Sequence, residues 1–346
     1  MKEFGSDYHA LPLQPGGPRF ETLIPNCIYY ASGRQALEAL VAFKGYRRIF
    51  VPSYFCQESL ARLRQMVDVE EYDFIPGDDF CVVLRDLPLE KGDAILTVNY
   101  FGLDNLDCRF PDDVDVIEDH THSPAGYGAV TSRADWCVAS LRKVFPIPDG
   151  GALWSPKGYQ LPSQPPLAEE VEQAMITRLS AMEMKSKYLS IPASQEAGAL
   201  KEEFRRRFIS TEEKFDEFPI SDMSPQSYAI LRGIDVEKWI GARIRNWRIL
   251  RKALPYGRDF RVMEPRYLVS DPFSFVVIFD SPERREVVRQ SLIKADVYPA
   301  VLWPIDREPD DRATRFSHRM LSIHCDGRYS ADEMKQLAGL LRKLLY

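Results

Sequence analysis

Long apolar runs are missing from this 346-residue chain. No stretch of about 18 apolar residues occurs, which excludes a membrane-spanning helix. The opening residues, MKEFGSDYHALPLQPGGPRF, hold no apolar run either. The expectation is therefore a chain without a signal peptide, working in a reduced cytoplasm. Charge of one sign is never gathered into a block, and the formal net charge is only −6. Nothing directs the chain to nucleic acid or to an anionic membrane. The densest basic cluster, EEFRRRF (Glu202 to Phe208), sits among acids and reads as a solvated helix face. Cysteine is sparse as well. Six are scattered at Cys27, Cys56, Cys81, Cys108, Cys137 and Cys325, with no CxxC pair. That excludes a disulfide scaffold and a metal site of the usual spacing. Internal repeats and low-complexity tracts are absent too.

What remains is the composition of a globular protein with a sizeable core, 45% hydrophobic and 28% charged. The first 25 residues carry Pro and Gly at LPLQPGGP and read as an extended arm. From there to about residue 155, short β-rich runs alternate with helical or loop segments. RRIFVPSYF, VEEYDF, AILTVNYFG, VDVIEDHTH, DWCVAS and GGALWS read as strands, and CQESLARLRQM as a helix. The buried runs AILTV and VDVI lack strict alternation, as strands covered on both faces do. The alternation predicts an α/β fold with a doubly wound, mostly parallel sheet. Long helices follow at 167–189 and at 224–254, the second interrupted near Gly233. The strands FSFVVIFD and VYPAVLW, with the helices SPERREVVRQSLIKA and SADEMKQLAGLLRKLL, predict a smaller C-terminal α+β domain. The expected division is an arm over 1–25, a large domain over 26–220 and a small domain over 221–346.

Open α/β sheets bind ligands outside the carboxyl ends of their strands, and four such places carry chemistry. In YYASGRQALEAL, Ser32 and Gly33 open a helix whose free N–H groups form an anion site, to which Arg34 can add a contact. The plainer reading is that Ser32 only caps the helix. In VPSYFCQES, Phe55 is placed to stack on a planar ring or to fill the core. In DVIEDHTHS, a strand ends in acids and histidines. A carboxylate there can hold a proton on a ring nitrogen, while Asp119, His120 and His122 form the metal alternative. In SLRKVFPIPDGGALW, Lys143 stands between a strand and the turn Asp149-Gly150-Gly151, in apolar company. Burial turns a lysine amine into a nucleophile; the alternative is a solvated loop charge. An anion-binding turn, an aromatic, a strand-end carboxylate and a lysine, in that order, match the four features of pyridoxal 5'-phosphate.

On SGRQAL, VPSYFC, VNYFG, VIEDHTHS, SLRKVFPIPDGG, YPAVLWP and LSIHCDGRYSADEM, the chain resembles the DegT-type nucleotide-sugar aminotransferases, fold type I pyridoxal-phosphate enzymes. The resemblance implies an aspartate-aminotransferase-like large domain and pyridoxal 5'-phosphate as cofactor. It makes Lys143 the Schiff-base lysine and puts Asp119 at the pyridine nitrogen. His122 falls where a glutamine usually meets the ring, and Ser32, Gly33 and Arg34 fall on the phosphate turn. Ser140 falls on a phosphate-binding serine, although its spacing to the lysine is short. Phe55 or Cys56 takes the stacking position. Trp303, Arg245, Asn246 and Arg328 lie in segments that can line the substrate side, where ordinary structural roles are the plainer reading. The implied reaction moves an amino group from an amino-acid donor, by resemblance glutamate, to a keto group of a nucleotide-linked sugar. The setting is surface-polysaccharide or secondary-metabolite biosynthesis, and the implied assembly is a homodimer. FPISDMSPQSYAIL stands where the family carries a GYNYRM-like segment, and Asn99 where it often has histidine. These departures bear on the substrate more than on the cofactor. They leave a lyase-type reaction and a non-catalytic cofactor-binding homologue as the alternatives.

Overall fold

The computed structural model describes residues 3–12, 16–103, 112–255, 257–267 and 270–346, without the side chains of 80–82. Residues 13–15 of the LPLQPGGP segment, Cys108 and the Cys81 side chain lie outside the described set. The chain opens with β1 (Phe4–Gly5) and a single helical turn, α1 (Phe20–Leu23). The next 125 or so residues alternate as the sequence predicts: β2 (Ile28–Tyr30), α2 (Gly33–Lys44), β3 (Arg48–Pro52), α3 (Gln57–Leu63), β4 (Asp68–Tyr72), α4 (Phe80–Arg85), β5 (Asp93–Val98), β6 (Asp115–Asp119), α5 (Tyr127–Val130), β7 (Trp136–Ser140) and β8 (Gly151–Trp154). A helical stretch follows, with α6 (Glu169–Ser190), α7 (Gln195–Lys214), α8 (Pro225–Arg232) and α9 (Val236–Ala253). Then come β9 (Phe260–Val262), β10 (Ser274–Phe279), α10 (Pro282–Lys294), β11 (Val297–Tyr298), α11 (Arg312–Arg319), β12 (Met320–His324) and α12 (Ala331–Leu345).

Seven strands form the main sheet in the order β2-β8-β7-β6-β5-β3-β4. The five from β7 to β4 run parallel, and β8 and β2 add antiparallel pairs at one edge. The sheet is thus mixed and mostly parallel, as expected. β5 and β7 are buried along their whole length, which is why AILTV and WCVAS show no alternation. The chain leaves β3 for β4 on one side and returns to place β5 on the other. That reversal opens a crevice beyond the carboxyl ends of β3 and β5.

A three-stranded antiparallel sheet, β12-β10-β9, carries a second apolar cluster drawn almost wholly from residues after 246. Local signals set the helix ends. Ser224 and Ser281 cap α8 and α10 ahead of a proline in the first turn, and Ser330 with Glu333 forms a capping box on α12. The predicted helix at 224–254 is two helices broken at Gly233, and EEFRRRF lies within α7. Two expectations need correction. VYPAVLW is not a full strand: only Val297–Tyr298 pairs, and it does so with β1, leaving Ala300 a lone bridge to Ser322. Residues 320–324, not predicted as a strand, form β12, an edge strand paired antiparallel with the central β10.

Candidate active site

β6 and β7 lie side by side, with Asp119 in register with Val138, so their carboxyl ends deliver Asp119 and Ser140 to one place. After Ser140 a single 3-10 turn, Leu141–Lys143, lifts Lys143 off the sheet. Lys143 is half-buried and lines a cleft of about 250 Å³. Its Nζ stands 5.5 Å from the centre of the Trp303 ring. The turn behind it is held by Asp149, which is fully buried. Ser224 and Ser227 donate their hydroxyls to Asp149 Oδ1, and the Ser224 N–H donates to Oδ2 at 2.9 Å. Burial raises the Asp149 pKa to about 6, against the pull of those bonds.

Asp119 accepts a 2.8 Å bond from the Thr121 N–H on Oδ1 and forms no ion pair among the described residues. Burial raises its pKa above the ordinary carboxylate value. The Thr121 bonds and, more weakly, the Lys143 ammonium pull it back. A desolvated carboxylate without a cation in contact fits a ring that brings a protonated nitrogen. His122 is buried between the rings of Phe101, Phe273 and Trp303. Its Nδ1 accepts the Phe101 N–H at 3.1 Å. Burial, followed by the charges of Lys143 and Arg243, drives its pKa well below the ordinary value, so the imidazole is neutral.

Ser32 is the N-cap of α2: its Oγ accepts the Gln35 N–H at 3.2 Å and still has a proton to donate. The N–H groups of Gly33 and Arg34, in the first turn, are ones the helix cannot satisfy itself. Gly33 is pressed on the end of β7, where an added Cβ would stand 2.7 Å from the Ser140 nitrogen. That contact brings the start of α2 against Ser140, whose N–H donates to Thr121 Oγ1 at 2.9 Å. Arg34 points elsewhere and pairs with Asp216. Phe55 is buried with its ring 6.1 Å from Trp303. Cys56 is half-buried at the start of α3 and directs its thiol to Glu58 Oε2 at 3.1 Å.

Lys143, Asp119, His122, Ser140 and the Ser32–Gly33 turn therefore meet beyond the carboxyl ends of β6 and β7, over a floor that includes Phe55 and Trp303. No protein-family model matches the chain, and no curated protein matches it. Solved structures do. Spr1654 of Streptococcus pneumoniae in its PLP form aligns with a TM-score of 0.62 at 12% identity, over 97% of this chain and 94% of that one. Helicobacter pylori PseC, an aminotransferase involved in the biosynthesis of pseudoaminic acid, aligns at 0.61 and 13%, over 99% of both chains. A DegT DnrJ EryC1 StrS aminotransferase from Brucella abortus aligns at 0.56 and 14%, over 93% and 86%. The chain has the aminotransferase fold.

Within that fold, the metal alternative does not assemble. The strand ends at Asp119, so the i, i+2 alternation stops there and His120 and His122 diverge. His120 Nε2 bonds Glu118 Oε2 at 2.8 Å, in a group with Cys137 whose ligand atoms lie within 4.8 Å of one another. Ser132 completes it, donating to Glu118 at 2.6 Å and accepting the Cys137 thiol at 3.3 Å, while His120 Nδ1 has no partner among the described residues. Of the substrate-side residues, Trp303 reaches the site. Arg328 lines the cleft but is bound to Asp326. Arg245 and Asn246 face the 326–329 loop instead. Arg142 and Arg243 also line the cleft, and neither stands in a sequence motif that marks it as a site residue. A signal for Arg243 exists: Val236, Arg243, Trp247 and Leu250 form the buried stripe of α9, and a charge on such a stripe calls for a partner.

Proposed function

We propose that the chain is a pyridoxal-phosphate-dependent aminotransferase that moves an amino group from an amino-acid donor, glutamate in the first instance, to a keto group of a nucleotide-linked sugar. The observation that carries this reading is the pairing of Lys143 with a desolvated Asp119 beyond adjacent parallel strands. The likeness of the whole chain to aminotransferase structures supports it. Bound, the cofactor supplies an aldehyde and an electron sink. Lys143 Nζ would hold it covalently and, as a free amine, would carry the proton between the donor's α-carbon and the cofactor's aldehyde carbon. Asp119 would face the ring nitrogen and, ionised, would favour its protonated form by Coulomb attraction in a poorly solvated place. Neutral His122 packs the ring without adding charge. The first N–H groups of α2 and the Ser32 hydroxyl would hold the phosphate. Phe55 or Cys56 would cover one ring face, and Ser140 would support the phosphate end.

A homodimer, a cytoplasmic setting and a role in surface-polysaccharide or secondary-metabolite biosynthesis belong to the same proposal. So does the division into an arm (1–25), a large domain (26–220) and a small domain (221–346), supported by the separate apolar cluster on the three-stranded sheet. The test is chemical. Borohydride should fix one cofactor on Lys143, and glutamate alone should yield one equivalent of 2-oxoglutarate per site. A panel of nucleotide-linked keto sugars then identifies the acceptor. Cofactor fixed on another lysine, or none fixed, would overturn the reading. Fixation without any amino transfer would favour the non-catalytic alternative.

A further inference from the structure

The metal trio expected from the sequence does not form, yet a different set of metal-binding side chains meets on the other face of the same strand. Glu118 of β6 and Cys137 of β7 are register partners. Paired residues on neighbouring strands leave the sheet on one face, and successive residues alternate. Glu118 and Cys137 therefore lie together on the face opposite Asp119. His120, just past the end of β6, turns back to them. The ligand atoms of the three lie within 4.8 Å of one another, with His120 Nε2 2.8 Å from Glu118 Oε2. None of the three residues is more than 2% exposed. Ser132 closes the group, its Oγ 2.6 Å from Glu118 Oε2 and 3.3 Å from Cys137 Sγ.

This group differs from an ordinary buried hydrogen-bond network in its charge and in its histidine. Glu118 is a buried carboxylate that meets no lysine or arginine among the described residues, and His120 is its only basic neighbour. A buried anion without a compensating cation is expensive. His120 Nδ1 is buried and has no partner. The ring can therefore carry its proton on Nδ1 without breaking a bond there, which turns the Nε2 lone pair toward Glu118 and Cys137. In that tautomer an oxygen, a nitrogen and a sulfur face one point, and a cation at that point balances Glu118.

We propose that Glu118, His120 and Cys137 form a structural zinc site, with the Ser132 hydroxyl, or a water it holds, as the fourth donor. Mixed oxygen, nitrogen and sulfur donors suit zinc. A tetrahedral shell with bonds of about 2.0–2.3 Å spaces its donor atoms roughly 3.3–3.7 Å apart, so side-chain shifts of about an ångström complete it. The Cys137 sulfur bonds the ion as thiolate, and the thiol proton leaves to solvent. Ser132 is half-buried between two exposed residues, Thr131 and Arg133, which gives the ion a way in. Zinc there ties β6 to β7, the strands whose ends carry Asp119 and Ser140. The site stands independently of the aminotransferase reading.

The test is metal binding by the full-length protein. Chelator-stripped protein given zinc should retain about one ion per chain through gel filtration, by elemental analysis. Zinc should also raise the wild-type melting temperature. Cobalt(II) in its place should give tetrahedral visible bands and a sulfur-to-cobalt charge-transfer band in the near ultraviolet. Cys137→Ser should bind zinc at least tenfold more weakly and lose the charge-transfer band, whereas Cys27→Ser, which changes a thiol outside the group, should keep both. If Cys137→Ser does not fold, His120→Gln should lose at least tenfold in zinc affinity. No retained zinc, cobalt bands without the sulfur transition, no rise in melting temperature, or unchanged zinc affinity in a folded Cys137→Ser or His120→Gln overturns the site. Borohydride fixation on Lys143 is scored separately, so its failure removes the aminotransferase reading and leaves the zinc site standing.

Discussion

Asp119 is half-buried and Asp149 fully buried, and desolvation raises the pKa of both, yet they ask for opposite experiments. Asp119 has no cation in contact, so its ionised form is a burden on the folded chain until a cationic partner arrives. Asp119→Asn should melt at or above the wild-type temperature at pH 7 while transamination falls by about 10²-fold or more. A melt well below wild type would show that the carboxylate serves the fold. Lys143→Ala should fix no cofactor and lose about 10²–10⁴ in rate, with its melting temperature near wild type, since Lys143 is half-buried at a cleft. For Asp149 the folded pKa of about 6 lies above the ordinary 3.8. The folded chain therefore holds the proton more tightly than the unfolded one. The resulting stabilisation is complete below about pH 4 and is lost as pH rises through about 6, an amount on the order of 3 kcal/mol. Asp149→Asn removes the titration, so the stability gap between wild type and variant should shrink over that window in urea titrations.

At the scale of elements, the contact between the start of α2 and the end of β7 sets the site. Gly33 is required there because a methyl group would meet the Ser140 backbone at 2.7 Å, and backbone cannot swing aside. Gly33→Ala should destabilise the chain by about 1–3 kcal/mol and weaken cofactor binding, because the helix start must back away from Ser140. Ser32→Ala should cost about 1 kcal/mol for the lost cap without moving the helix. Comparing melting temperature with cofactor affinity in the two variants separates cap from spacing. Gly102, at φ +66°, plays a similar part after β5: a Cβ would stand 2.0 Å from the Asp271 carbonyl oxygen. That approach brings the 270–273 segment, and with it the partners of Arg243, up to the site.

Across the whole molecule, the N-terminal arm belongs to the structure. Phe4 stacks on Tyr329 at 3.8 Å, β1 pairs with β11, and Glu3 meets the buried Lys185 at 2.9 Å. The Tyr8 hydroxyl donates to the Val144 carbonyl at 2.9 Å, directly after Lys143. The arm thereby links the C-terminal sheet, α6 and the lysine turn. Glu3→Gln leaves Lys185 a buried charge without its main carboxylate and should cost about 3–5 kcal/mol, seen as a lower urea midpoint. Wild-type stability in that variant would mean that the Gly5 and Asp7 carbonyls, which Lys185 also reaches, suffice.

The order of elements, the mostly parallel sheet and the placement of Asp119 and Lys143 beyond strand ends follow from local patterns. Continuous apolar runs, cap residues and turn glycines act over a few positions, and each is visible in the letters themselves. The metal alternative failed because alternation along a strand says nothing once the strand stops at Asp119. VYPAVLW misled because β character needs a neighbouring strand to be realised, and only two of its residues have one. The partners of Arg243, the docking of the arm and the press of Gly33 on Ser140 join residues far apart in the chain. They are decided by packing, which is determined only when the whole chain has closed on itself, and no local pattern encodes it.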